Sequence, residues 1–166
     1  MVRICLFFVF VALAGFCAAQ SSKSISIERL GNDQHIVLDG LINEEVWLTM
    51  TPITDFTMQE PLEGGEPTER TEVRIAYDAE HLYMAVTLYD SDPAGIKAFQ
   101  TRRDAENDDS DSFIWFFDTF LDKRNAYIFE INPAGLMADA LLTTGQGSDI
   151  NRDWDGIWEV ETHIGT

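Results

Sequence analysis

The chain has 166 residues, of which 29 are acidic and 11 are basic, so its formal net charge is −18. That charge opposes binding to nucleic acid and to anionic membrane surfaces. Both cysteines, Cys5 and Cys17, lie near the N-terminus. The rest of the chain therefore has no disulfide, thiol nucleophile or cysteine metal ligand.

Residues 1–19 have the pattern of a secretory signal peptide. Arg3 precedes an apolar run that ends at Phe16, and small residues follow before Gln20. The run is too short for a membrane-spanning helix. This pattern predicts an exported protein that is periplasmic, outer membrane-associated or extracellular, with no direct membrane insertion after signal cleavage.

The expected domain organisation follows from that cleavage. A signal peptide at 1–19 and a polar linker at 20–23 precede one domain at 24–166. The last predicted strand runs close to Thr166, which suggests the front of a longer protein.

The first part of the domain alternates between apolar and polar residues. Ser24–Leu30 and His35–Leu38 are predicted to be short strands. Asn43–Leu48 is predicted to be a short helix capped by its first residue, with Trp47 buried. The proline- and glycine-rich stretch Pro52–Pro67 is predicted to be an exposed loop.

The clearest hairpin joins Thr71–Tyr77 to Leu82–Tyr89 through a polar turn. An acidic run follows Ile96–Thr101, which is predicted to be a short strand or a turn.

A meander of three strands forms the expected centre of the domain. The strands are Phe113–Phe120, Ala126–Ile131 and Leu136–Thr143, and the first is apolar on both faces, so both faces should be covered. A polar loop then leads to a predicted final strand, Ile157–Ile164. Short strands at this spacing predict an all-β fold, a two-sheet antiparallel β-sandwich of immunoglobulin-like or jelly-roll-like type with one short helix.

Several short motifs occur in a specific order along the domain. They are Leu38-Asp39-Gly40, Glu45 with Trp47, Thr71-Glu72-Val73, Ala76-Tyr77-Asp78 with Leu82-Tyr83, and Asp111-Ser112 followed by Asp118. Together they resemble the family 9 carbohydrate-binding module. RNAYIFEINPAG and DWDGIW further resemble the version of this module found at the N-terminus of large bacterial envelope proteins.

The resemblance implies a β-sandwich, sugar binding, bound calcium and association with glycoside hydrolases. One departure concerns the ligand. Sugar-binding members have a Trp three residues before the Asp-Ser pair and an acid two residues after it. This chain has Asp108 and Ile114 at those positions.

Sugar-binding modules stack sugar rings on exposed aromatic side chains, and polar groups fix the orientation of the sugar. Trp47, Trp115 and Trp158 lie in apolar or alternating patterns and are expected in the core. Trp154 lies among acids and beside a glycine, so it is the candidate sugar platform, with a packed lid as the alternative. The predicted carbohydrate-binding residues are Trp154, Asn151, Asp153 and Asp155.

Five carboxylates precede the central strand, at Asp104, Glu106, Asp108, Asp109 and Asp111. Carboxylates so close together either extend into solvent or share a hard cation such as calcium. A second acidic segment, residues 149–155, does not match an EF-hand, because Thr162 would occupy the position of the bidentate Glu.

The leading functional prediction is a non-catalytic carbohydrate-binding module. It would bind a polysaccharide or oligosaccharide beside a parent activity that hydrolyses O-glycosyl compounds. The alternative is a structural sandwich that has lost the sugar and docks onto a C-terminal region of a longer parent protein. A haem-binding electron carrier that uses Met84 is a distant alternative, and no haem is expected. No catalytic residue is assigned.

Overall fold

A computed structural model describes residues 24–107, 109–144 and 148–165. The predicted signal peptide and the predicted linker lie outside these residues. The described elements are β1 (Glu28–Arg29), α1 (Glu45–Thr49), β2 (Thr71–Tyr77), β3 (Leu82–Leu88), a 3-10 turn (Pro93–Gly95), β4 (Phe113–Phe117), β5 (Asn125–Ile131), β6 (Met137–Thr144) and β7 (Ser148–Asn151).

The strands form two sheets, with the orders β1-β2-β3 and β4-β5-β6-β7. All strand pairs are antiparallel except β1 with β2, which is parallel. The prediction of an all-β, two-sheet fold with one short helix is confirmed. In the part of the chain that the structure describes, no helix has the length and apolar character needed to cross a membrane.

The hairpin of β2 and β3 forms as predicted, with Val73 opposite Val86. Asp78 organises its turn, because one carboxylate oxygen accepts the backbone N–H groups of Glu80 and His81, each at 2.7 Å. The other oxygen accepts the Tyr83 hydroxyl at 2.8 Å. These hydrogen bonds, led by the one from Glu80, lower the pKa of Asp78 to about 2.

Helix α1 covers one face of the first sheet. Trp47 is 3% exposed and packs in a cluster to which the sheet contributes the small buried side chains of Ala76 and Ala85, with Tyr83 half-buried against them. Two alanines leave room for an indole against the strands, so a helix of five residues is sufficient to close this core. The buried members of the cluster are Leu30, Val46, Trp47, Met50, Ala76 and Ala85.

Three predicted strands differ from the structure, and the segment predicted as a strand or a turn is not a strand. Ser24–Leu30 is reduced to the two residues of β1, while His35–Leu38 and Ile96–Thr101 have no strand structure. Ile157–Ile164 also forms no strand, although exposure does alternate along it as far as Thr162. Side chains hold it in place instead of a ladder, since the Trp158 indole N–H donates to the Asp139 carboxylate in β6 and the Thr162 hydroxyl donates to the carbonyl oxygen of Pro133.

Alternate residues of β4 point to opposite faces of the second sheet. Trp115 and Phe117 lie on the face called here the aromatic face, which also carries Tyr127 and Phe129. Ile114 and Phe116 lie on the opposite, outer face. Both are exposed, so the expectation that both faces of this strand are covered was wrong for the outer face.

Candidate glycan-binding site

The aromatic face of the second sheet supports the C-terminal segment. The rings of Trp115 and Phe129 stack with their centroids 5.3 Å apart. The ring of Trp158 lies nearly perpendicular to both, at 5.7 Å from Trp115 and 5.2 Å from Phe129. Trp115 and Trp158, both predicted as core residues, are half-buried in this cluster.

Trp154 lies at the margin of the same cluster. Its ring centroid is 4.9 Å from that of Tyr127 and 6.0 Å from that of Phe129. These two contacts leave the side chain half-buried rather than freely exposed. The indole is therefore both a partial lid over the sheet and a ring that solvent reaches.

The polar residues predicted to accompany Trp154 are all exposed. Asn151 ends β7, and its side-chain oxygen accepts the backbone N–H of Asp153 at 3.0 Å, which turns the chain toward the indole. One carboxylate oxygen of Asp155 lies 3.7 Å from the Arg103 guanidinium. Solvent-facing carboxylate and amide oxygens thus occur on both sides of Trp154 in the chain.

A buried carboxylate that the sequence analysis missed holds this segment on the sheet. The Asp139 side chain is fully buried and accepts hydrogen bonds from Arg103 Nη2 at 2.6 Å and Trp158 Nε1 at 2.8 Å. It also accepts the backbone N–H of Gly156 at 3.0 Å. A carboxylate with three donors, one of them charged, is well compensated for its burial.

A signal for Asp139 was present in the sequence. In β6 it alternates with Ala138 and Ala140 and shares a face with Met137 and Leu141. An acid at an apolar-face position of a strand must be paired if it is buried. Its partners could not be named, because they lie far away along the chain.

Gly156 is required by the close packing around it. A β-carbon at this position would lie 3.0 Å from Trp154 Cη2, 3.2 Å from Trp158 Cδ1 and 3.3 Å from Phe129 Cε1. Any larger residue would push at least one of these rings away. The DWDGIW sequence thus places two indoles on the sheet with a gap that only glycine fits.

The structure does not bring the predicted calcium residues together. Asp104 lies beside Arg103, with Oδ2 3.3 Å from the guanidinium Nε, and Asp111 Oδ2 accepts the backbone N–H of Lys97 at 2.8 Å. Glu106 and Asp109 are exposed, and Asp108 lies outside the described residues. Among the described residues, which leave out Asp108, there is no group of three or more acidic, His or Cys side chains that could hold a metal ion.

Calcium binding stays a prediction that thermal melts can check. A cation that binds only the folded state must raise its stability by mass action. If the acidic run binds calcium, melts in millimolar calcium and in excess chelator should differ by several degrees. Identical melts would instead support carboxylates that extend into solvent and bond to their own loop.

No protein-family model, curated protein or solved structure matches the chain. The resemblance to family 9 carbohydrate-binding modules therefore remains a prediction from the motifs.

Proposed function

We propose that the domain is a non-catalytic glycan-binding module in which Trp154 stacks on a sugar ring. The observation that supports this most is the half-buried indole, which Tyr127 and Phe129 hold and which exposed polar side chains flank in the chain. Asn151, Asp153 and Asp155 would accept hydrogen bonds from sugar hydroxyls. Aromatic stacking combined with a few orienting polar groups is the usual chemistry of sugar recognition.

The packing of Trp154 against Tyr127 and Phe129 favours sugar binding. A ring already packed against two aromatic side chains loses little conformational freedom when a ligand arrives, so less of the interaction free energy is spent on ordering it. Asp139 contributes indirectly, because it fixes Gly156 and Trp158 immediately after the platform. Both oxygens of its buried carboxylate already accept hydrogen bonds, which favours a positioning role over acid–base chemistry.

Under this proposal the domain binds a polysaccharide or oligosaccharide close to an activity carried elsewhere in a longer protein. A glycan array with the purified chain from Gln20 onward would identify the ligand class, and affinity electrophoresis in gels containing that polysaccharide would confirm binding in solution. We expect retarded migration. A folded domain that binds no arrayed glycan and migrates normally in every gel would count against the proposal.

The second candidate function is a structural module that docks onto another region of a longer protein. The exposed outer face of the second sheet favours it, since Ile114, Phe116 and Ile150 lie there with Ile128 and Ala140 between them. Exposed apolar side chains that adjoin one another are typical of interaction surfaces. This candidate becomes the preferred one if the domain is folded and retains no glycan.

A further inference from the structure

The turn between β4 and β5, residues 118–124, carries two bulky apolar side chains at its tip. Phe120 is 73% exposed and Leu121 is 87% exposed. The apolar run Phe113–Phe120 predicts that Phe120 lies in a strand, but β4 ends at Phe117 and leaves Phe120 in the turn. We call residues 118–124 the hairpin tip.

Two aspartates in the hairpin tip accept hydrogen bonds from its backbone N–H groups. The carboxylate of Asp118 accepts the N–H groups of residues 122 and 123, at 3.2 and 2.8 Å. The carboxylate of Asp122 accepts those of residues 124 and 125, at 2.7 and 2.9 Å. The N–H of residue 121 donates to the Asp118 carbonyl at 3.4 Å, so five consecutive backbone donors have partners inside the turn.

The same hydrogen bonds hold two residues of the tip in a backbone conformation that residues other than glycine rarely adopt. Leu121 and Lys123 have φ values of 54° and 56°, in the left-handed region that favours glycine. Backbone strain of this kind persists only where neighbouring interactions impose it, and it is concentrated at functional positions. Here it coincides with the most exposed apolar pair of the turn.

We propose that the hairpin tip inserts Phe120 and Leu121 into the headgroup region of a zwitterionic lipid bilayer. A protruding apolar pair would need a matching pocket on a protein, whereas a fluid bilayer needs none. Because the backbone donors are paired internally, entry into a less polar medium would not leave them unsatisfied. Lys123 and Arg124 are exposed two and three residues after Leu121, beyond Asp122, where long cationic side chains reach lipid phosphates.

The negative net charge of the chain favours a zwitterionic bilayer over an anionic one. A net charge of −18 is repelled by anionic lipids, whereas a zwitterionic surface adds no such long-range repulsion. The sequence predicts no direct membrane insertion after signal cleavage. The proposed insertion differs from that prediction only in that the hairpin tip enters the headgroup region, since the chain still does not span the bilayer.

Vesicle sedimentation tests the proposal. The chain from Gln20 onward contains every described strand and the buried cluster around Trp47, and a cooperative melt would verify its fold. With phosphatidylcholine vesicles, the Phe120→Ser/Leu121→Ser double variant should show a partition coefficient at least about tenfold below that of the parent. Phe99→Ser is the matched control, because Phe99 is 74% exposed but lies outside the tip, and it should bind like the parent.

Three results would overturn the proposal: a parent chain that does not sediment with the vesicles, a double variant that binds equally well, or an equal loss in Phe99→Ser. Addition of phosphatidylglycerol should weaken binding at low salt. Stronger binding to those vesicles would overturn the assignment to a zwitterionic surface.

Discussion

Replacement of Trp47 by alanine should lower the free energy of unfolding by about 3–5 kcal/mol. The indole is 3% exposed and is the largest side chain in the cluster between α1 and the first sheet. The buried sheet residues in that cluster are Ala76 and Ala85, whose side chains are too short to fill the cavity. Urea denaturation of the parent and of Trp47→Ala should show this as a large fall in the midpoint.

Leu48 offers a control on the same helix. Its side chain is 71% exposed, so Leu48→Ala should change the free energy of unfolding by no more than about 0.5 kcal/mol. Equal midpoints for Trp47→Ala and Leu48→Ala would contradict the packing of α1 described here.

Replacement of Asp139 by asparagine should destabilise the domain by about 2–4 kcal/mol. The carboxylate accepts hydrogen bonds from the Arg103 guanidinium, the Gly156 N–H and the Trp158 indole N–H. An asparagine keeps the shape but replaces one acceptor with an amide that is itself a donor. At least one of the three donors would then face another donor or lose its partner.

Asp155→Asn is the matched control for this substitution. Asp155 is an exposed carboxylate at 3.7 Å from the same guanidinium, and exposed ion pairs contribute little to stability. We expect its thermal melt to match that of the parent closely. If Asp139→Asn also melts like the parent, the buried carboxylate does not hold the C-terminal segment on the sheet.

Elements determined by neighbouring residues were the ones that the sequence predicted well. The β2–β3 hairpin follows from two alternating runs joined by a turn in which Asp78 bonds to its own neighbours. The short helix was placed within two residues at its start and one at its end. Burial of Trp47 follows from its position on the apolar side of that helix.

Strand pairing could not be predicted in the same way, because a ladder depends on a partner that is distant in sequence. The segment Ile157–Ile164 has the alternating exposure of a strand but no ladder partner among the described residues. Conversely, the polar composition of Ser148–Asn151 predicts a loop. It becomes β7 because β6 is long enough to pair with it, as in the pair of Leu142 with Ile150.

In the candidate site too, the sequence predicts features that depend on nearby residues and does not predict contacts with distant ones. Trp154 and its exposed polar neighbours were identified from local composition, but its contacts with Tyr127 and Phe129 depend on the sheet. Asp139 was missed because its three donors lie 17 to 36 residues away. The acidic run is predicted either to extend into solvent or to share a cation, and local charge density does not reveal that Asp104 lies beside Arg103 or that Asp111 accepts the backbone N–H of Lys97.

Calorimetric titration of Trp154→Ala and Trp154→Phe with the best glycan from the array tests the role of this indole most directly. Loss of an aromatic anchor costs about 2 kcal/mol, so Trp154→Ala should bind roughly 30-fold more weakly than the parent. Trp154→Phe keeps a ring against Tyr127 and should retain most of the affinity. A folded Trp154→Ala domain that binds the glycan as tightly as the parent would contradict stacking on Trp154.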